Sequence, residues 1–63
     1  MTSPRARLVI ATDHGTGDTL VHLLAAKTST RRFTTEDAVR EFVLTASAAG
    51  TERGITMIID DTR

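Results

Sequence analysis

FTTEDAVREFVLTASAAG, at 33–50, carries the one unambiguous helical stripe in this 63-residue chain, and it limits every fold the rest can adopt. Val39, Phe42, Val43, Ala46 and Ala49 fall on one side at helical spacing, with Glu36, Arg40, Glu41 and Ser47 towards the other. Thr34 or Thr35 is suited to the N-cap, Glu36 and Asp37 suit the positive end of the helix dipole, and Gly50 suits the C′ position. The pattern predicts a helix over 35–49, with Glu36 and Arg40 as a stabilising pair four residues apart. A single helix covers only one face of a sheet.

The flanking segments read as strands. ITMIID at 55–60 is β-branched, too short for a helix, and preceded by the break at Gly54. RLVIAT at 7–12 is almost continuously apolar, as expected of a central strand covered on both sides. The segment 19–33 is ambiguous. Leu20, Leu23, Leu24 and Lys27 fit a helix capped by Asp18, which would give a βαβαβ-like chain with a helix at 18–27 behind a glycine loop. Thr19, Val21, Thr28, Ser29 and Thr30, with Arg31, Arg32 and Phe33 running straight into the next cap, favour an extended chain instead.

With a strand there, DHGTGD at 13–18 closes a hairpin, and Gly15 and Gly17 supply positive φ angles. An even loop puts Leu8 and Ile10 on one face with Val21, Leu23 and Ala25, ready for the helix stripe. Val9, Ala11, Leu20, His22 and Leu24 take the other face. An odd loop would instead move Leu20 and Leu24 beneath the helix. The last strand returns parallel by a right-handed crossover, with Ile55, Met57 and Ile59 covered and Thr56, Ile58 and Asp60 pointing away. The predicted fold is thus a single α+β domain over 1–63: a small two-layer ββαβ sandwich whose three-stranded sheet has the order 2-1-3, with one helix on one face.

Composition narrows the function. A chain this short buries only about 60% of its unfolded surface and usually needs further stabilisation, such as disulfides, metal or self-association. There are no cysteines, which removes disulfides and thiolate zinc sites. No run approaches a membrane span, and MTSPRAR lacks a signal-peptide core, so the expected location is cytoplasmic. Eight basic and eight acidic side chains balance, so nucleic acid or an anionic membrane would have to be met by a local patch. Seven of the eight basic residues are arginine, a bias typical of GC-rich genomes.

The chemical motifs are sparse. GTG in the 13–18 loop lacks the lysine and hydroxyl of a Walker loop and the third glycine of a dinucleotide fingerprint. Asp13, His14 and Asp18 are metal-ligand types gathered at one turn, but turns collect such residues for geometric reasons. His22 is mid-strand with Asp60 as its one acid–base candidate, and Asp60 and Asp61 point to opposite faces. No catalytic residue, metal, cofactor or small-molecule substrate is therefore expected. Arg5, Arg7, Lys27, Arg31 and Arg32 form the one basic concentration, and Phe33 is either a base-stacking group or a core partner of Phe42.

The surplus apolar face is the strongest functional signal. Val9, Leu20, His22, Leu24 and Ile58 would lie together uncovered unless Arg7 and the termini folded over them, and such patches mark interfaces. The expectation is a non-enzymatic, homodimeric interaction or regulatory module that binds a larger protein through this face. Self-association would use face packing or the edge of the last strand. The alternative is a dimeric nucleic-acid-binding regulator using Arg31, Arg32 and their basic neighbours.

Overall fold

The computed structural model describes residues 4–63. Four strands and one helix follow in the order β1 (Arg5–Thr12), β2 (Thr19–Leu24), β3 (Ser29–Phe33), α1 (Glu36–Glu52) and β4 (Thr56–Asp61). They form a mixed sheet of order β3-β2-β1-β4, antiparallel except where β4 runs parallel to β1. The α+β class, the single helix and the central position of β1 are as expected. The sheet has four strands rather than three, and the expected order 2-1-3 survives as its β2-β1-β4 portion.

The extra strand comes from the ambiguous segment. Residues 19–33 form neither one strand nor a helix at 18–27. The chain bends at 25–28 and returns as β3, pairing Thr19 with Phe33 and Leu23 with Ser29. Alanine, alanine, lysine and threonine make this bend, without the glycine, proline or asparagine that normally announces one. Ala25, expected on the covered face, lies past the end of β2 and is exposed.

The hairpin loop has even parity. Ile10 stands opposite Val21 and Leu8 opposite Leu23, so these residues share a face. Leu8, Ile10 and Val21 are buried with Val39 of α1, and Leu23, Phe33, Phe42, Val43, Ala46 and Met57 pack around them. Phe33 lies against Phe42 with ring centroids 5.2 Å apart, which makes it a core residue. Ile59 shares the covered side, yet it is 44% exposed because β4 is the sheet edge. Met1–Ser3, part of the termini considered above as a cover for the opposite face, lie outside the described residues.

The helix starts where the sequence indicates and ends later. Thr35 is the N-cap, its Oγ1 accepting the Ala38 amide at 3.2 Å. Gly50 does not end α1. It is buried inside the last turns, and a Cβ there would stand 3.3 Å from Met57 Cε. The left-handed residue is Gly54 (φ 71°), where the Ile55 amide donates to the Gly50 carbonyl at 2.8 Å and the Gly54 amide to that of Thr51 at 3.1 Å. This paired arrangement closes the helix and turns the chain directly into β4. Glu36 does not pair with Arg40 as expected. Arg63 takes it, and Arg40 approaches Asp37 at 3.8 Å instead.

Candidate functional site

The uncovered sheet face is laid out by strand register. Thr30, His22, Val9 and Asp60 form one row, Leu24, Arg7 and Ile58 the next, and Arg32, Leu20 and Ala11 the row on the other side. All five residues expected at an interface (Val9, Leu20, His22, Leu24 and Ile58) therefore lie on one face. Leu24 is 39% exposed and Ile58 38%, and the other three are half-buried by their neighbours in the sheet alone. Alternate residues of the same strands reach 0% at Leu8 and 1% at Val21 beneath α1.

His22 shares a hydrogen bond of 2.9 Å between its Nδ1 and Thr30 Oγ1 across the β2–β3 pair. Asp60 is not its partner: both residues flank Val9, two strand spacings or about 10 Å apart. Acid–base chemistry by direct contact between them is not available in this arrangement. Asp60 and Asp61 fall on opposite faces, as their alternation requires.

The 13–18 loop is a hairpin tip stitched to β3. The Asp13 amide donates to the Asp18 carbonyl at 2.8 Å, and the Gly17 amide to the Asp13 carbonyl at 2.7 Å. Gly17 has φ 80°, whereas Gly15 lies outside the left-handed region expected of it. Asp13 Oδ1 accepts the Gly15 amide at 2.9 Å. Arg32 Nη1 reaches Asp13 Oδ2 at 2.9 Å, Asp18 Oδ2 at 3.0 Å and Thr16 Oγ1 at 3.1 Å. The hydrogen bond from Arg32, followed by that from the Gly15 amide, holds the Asp13 carboxyl below its ordinary pKa. The strand beginning at Thr19 denies the glycine loop the following helix that a phosphate cradle uses. His14 is exposed at the tip, and among the described residues no three His, Asp or Glu side chains converge as a metal site.

Of the basic residues, Arg32 is engaged by the loop, and Arg31 points to the helix side with its guanidinium 5.5 Å from the Phe42 ring centroid. Arg5 and Arg7 lie on the open face near the start of β1, and Lys27 lies in the neighbouring 25–28 bend. Arg53 at the end of α1 joins this end of the molecule. The opposite end gathers Asp13, Asp18, Glu36, Asp37, Asp60 and Asp61. The carboxylates of that end are partly neutralised by Arg32 and Arg63, whereas among the described residues Arg5, Arg7 and Lys27 at the other end face only Glu52 nearby along α1, so a chain of zero formal charge keeps a modest charge asymmetry along its strands.

Arg63 makes a second clasp that the sequence gives no means of finding. Its Nη1 donates to Glu36 Oε2 at 2.6 Å and its Nε to Asp61 Oδ1 at 3.1 Å, tying the start of α1 to the end of β4. Hydrogen bonds from Arg63 lower the pKa of both carboxyls, and those carboxyls in turn raise that of the guanidinium. At the basic end a cavity of about 210 Å³ opens between α1 and the sheet, lined by Ala6, Leu23, Ala46, Ala49, Gly50 and Met57 among others. Among the described residues no helix is long and apolar enough to cross a membrane. Comparison with protein-family models, curated proteins and solved structures finds no match for this chain.

Proposed function

We propose that this protein is a small non-enzymatic interaction module whose open sheet face binds a larger protein. The observation that carries the reading is the absence of a second layer over Val9, Leu20, His22, Leu24 and Ile58 among the described residues, while Leu8, Ile10 and Val21 on the other face of the same sheet are buried. Such a face leaves aliphatic carbon in water, and covering it gains roughly 25 cal/mol per Å² of apolar area removed. His22 and Thr30 add a polar pair within the patch, and Arg7 and Asp60 add charges of both signs. A face of this composition suits a protein partner with an apolar centre and a polar rim.

The test compares capture from host lysate by wild type and by Leu24→Glu, with circular dichroism to verify the fold. Leu24→Glu is expected to remain folded and lose its partner. Equal capture by the two proteins contradicts the proposal. A second reading, nucleic-acid binding, draws on the clustering of Arg5, Arg7 and Lys27 at one end, although Arg32 and Arg31 have intramolecular partners. It requires a nucleic-acid affinity that falls steeply with salt, and insensitivity to salt would exclude it.

A further inference from the structure

The two edges of the sheet differ in a way that assigns one of them a partner. The β3 edge, STRRF, is short and carries two arginines, the ordinary protection against strand addition. The β4 edge also carries two charges, Asp60 and Asp61, but both lie at its end, after Met57, Ile58 and Ile59 in succession, with Ile58 and Ile59 both exposed. We infer that β4 pairs antiparallel with β4 of a second copy, joining two four-stranded sheets into one sheet of eight strands. This concerns self-association and stands whether or not the open face binds a larger protein.

The register follows from the backbone. The Thr56 amide donates to Pro4 and the Thr62 amide to Ile10, both inward to the β1 side. Parallel pairing alternates, so Ile58 and Asp60 also turn inward, and Met57, Ile59 and Asp61 turn their amides and carbonyls out. A two-fold axis normal to the sheet keeps the covered faces together, so residues of like parity must stand opposite each other. Placing the axis at Ile58 pairs Met57 with Ile59 of the second copy, and Ile59 with its Met57. These are the outward-facing residues, and they supply about four backbone hydrogen bonds. Thr56 then faces Asp60 of the second copy. Moving the axis to Ile59 would set Met57 against Asp61, an apolar group against a carboxylate.

Charge supports the same arrangement. Antiparallel pairing brings the basic end of one copy, with Arg5 and Arg53, beside the acidic end of the other, with Asp60 and Asp37. The two α1 helices lie antiparallel on the same side, so the C-terminal end of each lies towards the N-terminal end of the other. Phe42 faces β3 while Glu36 is tied to β4, which puts Leu44 on the solvent side of α1, turned to the β4 flank. Leu44 is 66% exposed in the single chain. The open faces of the two sheets become continuous through the paired Ile58 side chains.

Sedimentation and single-cysteine cross-linking test this in a protein that has no native cysteine. Wild type is expected to sediment at twice the chain mass. Ile59→Pro removes an outward amide without touching the β1–β4 ladder and is expected to sediment as a folded monomer. Ile58→Cys should cross-link to itself on mild oxidation, and Val9→Cys, on the open face, should not. A wild type that is monomeric at millimolar concentration overturns the inference. Cross-linking of Val9→Cys with none at Ile58→Cys overturns it as well, in favour of face-to-face packing. The cysteine pair decides the question even if Ile59→Pro fails to fold. Leu24→Glu, which tests partner capture, should leave the dimer intact, so each idea can fail alone.

Discussion

The two faces of the sheet are built from alternate residues of the same strands, and among the described residues only one of them is covered. Leu8, Ile10 and Val21 are sealed by Val39, Phe42 and Ala46, while Val9, Leu20 and Leu24, equally aliphatic, face outward. The difference is a matter of supply: one amphipathic helix of 17 residues cannot cover both sides. Hydrophobic residues on the covered side therefore stabilise the fold, and those on the open side remain available for association.

The largest test of this contrast compares truncations on opposite faces. Leu8→Ala should cost about 2–5 kcal/mol in urea unfolding, most of the stability expected of so short a chain. Leu24→Ala should cost about 1 kcal/mol or less, because the side chain is already partly in water. Equal costs would mean that the open face belongs to the core. Next in size is Gly54→Ala, which places a Cβ at φ 71° and should cost about 1–2 kcal/mol by loosening the turn that seats α1 over the sheet. Gly50→Ala should be milder, since its nearest obstacle, 3.3 Å away, is the flexible end of Met57 and a helical alanine offsets part of the strain. Loss of the cap through Thr35→Ala should lower stability by about 1 kcal/mol, readable as a drop in Tm.

The smallest effect is electrostatic. Asp13, Glu36 and Asp61 have pKa values lowered in the folded chain, so they bind protons less readily there than when unfolded. Their stabilisation is complete above the ordinary carboxylate range, about pH 4, and is lost as pH falls through the lower folded values. Melting temperatures should therefore decline below that range. Arg63→Gln should flatten the part due to the helix-side clasp, and Arg32→Gln the part due to the loop, without affecting each other.

Much of the covered face is legible in the sequence because two independent patterns agree on it. The strand alternation of Leu8, Ile10 and Val21 and the helical stripe of Val39, Phe42 and Ala46 need each other, and the even loop follows from that match. The open face follows as its complement. The β2–β3 bend is hidden because 25–28 has ordinary helix and strand residues where a turn signal belongs. The helix end is misread because Gly50 and Gly54 both resemble a stop: Gly54 makes the closing turn, while Gly50 leaves room for Met57. The Arg32 clasp and the Arg63–Glu36 arm of the other join residues 14 to 27 positions apart, beyond any local pattern. Their discovery requires β3 to be placed and the chain end to meet the start of α1.

The central claim, that the open face is a binding surface, is tested most directly by footprinting the protein alone and in its captured complex. Carbene labelling at Leu20, Leu24 and Ile58 should fall on complex formation, while Ala48 on the outer surface of α1 stays equally labelled. Unchanged labelling of Leu20 and Leu24 in the complex, with protection elsewhere, would contradict the account.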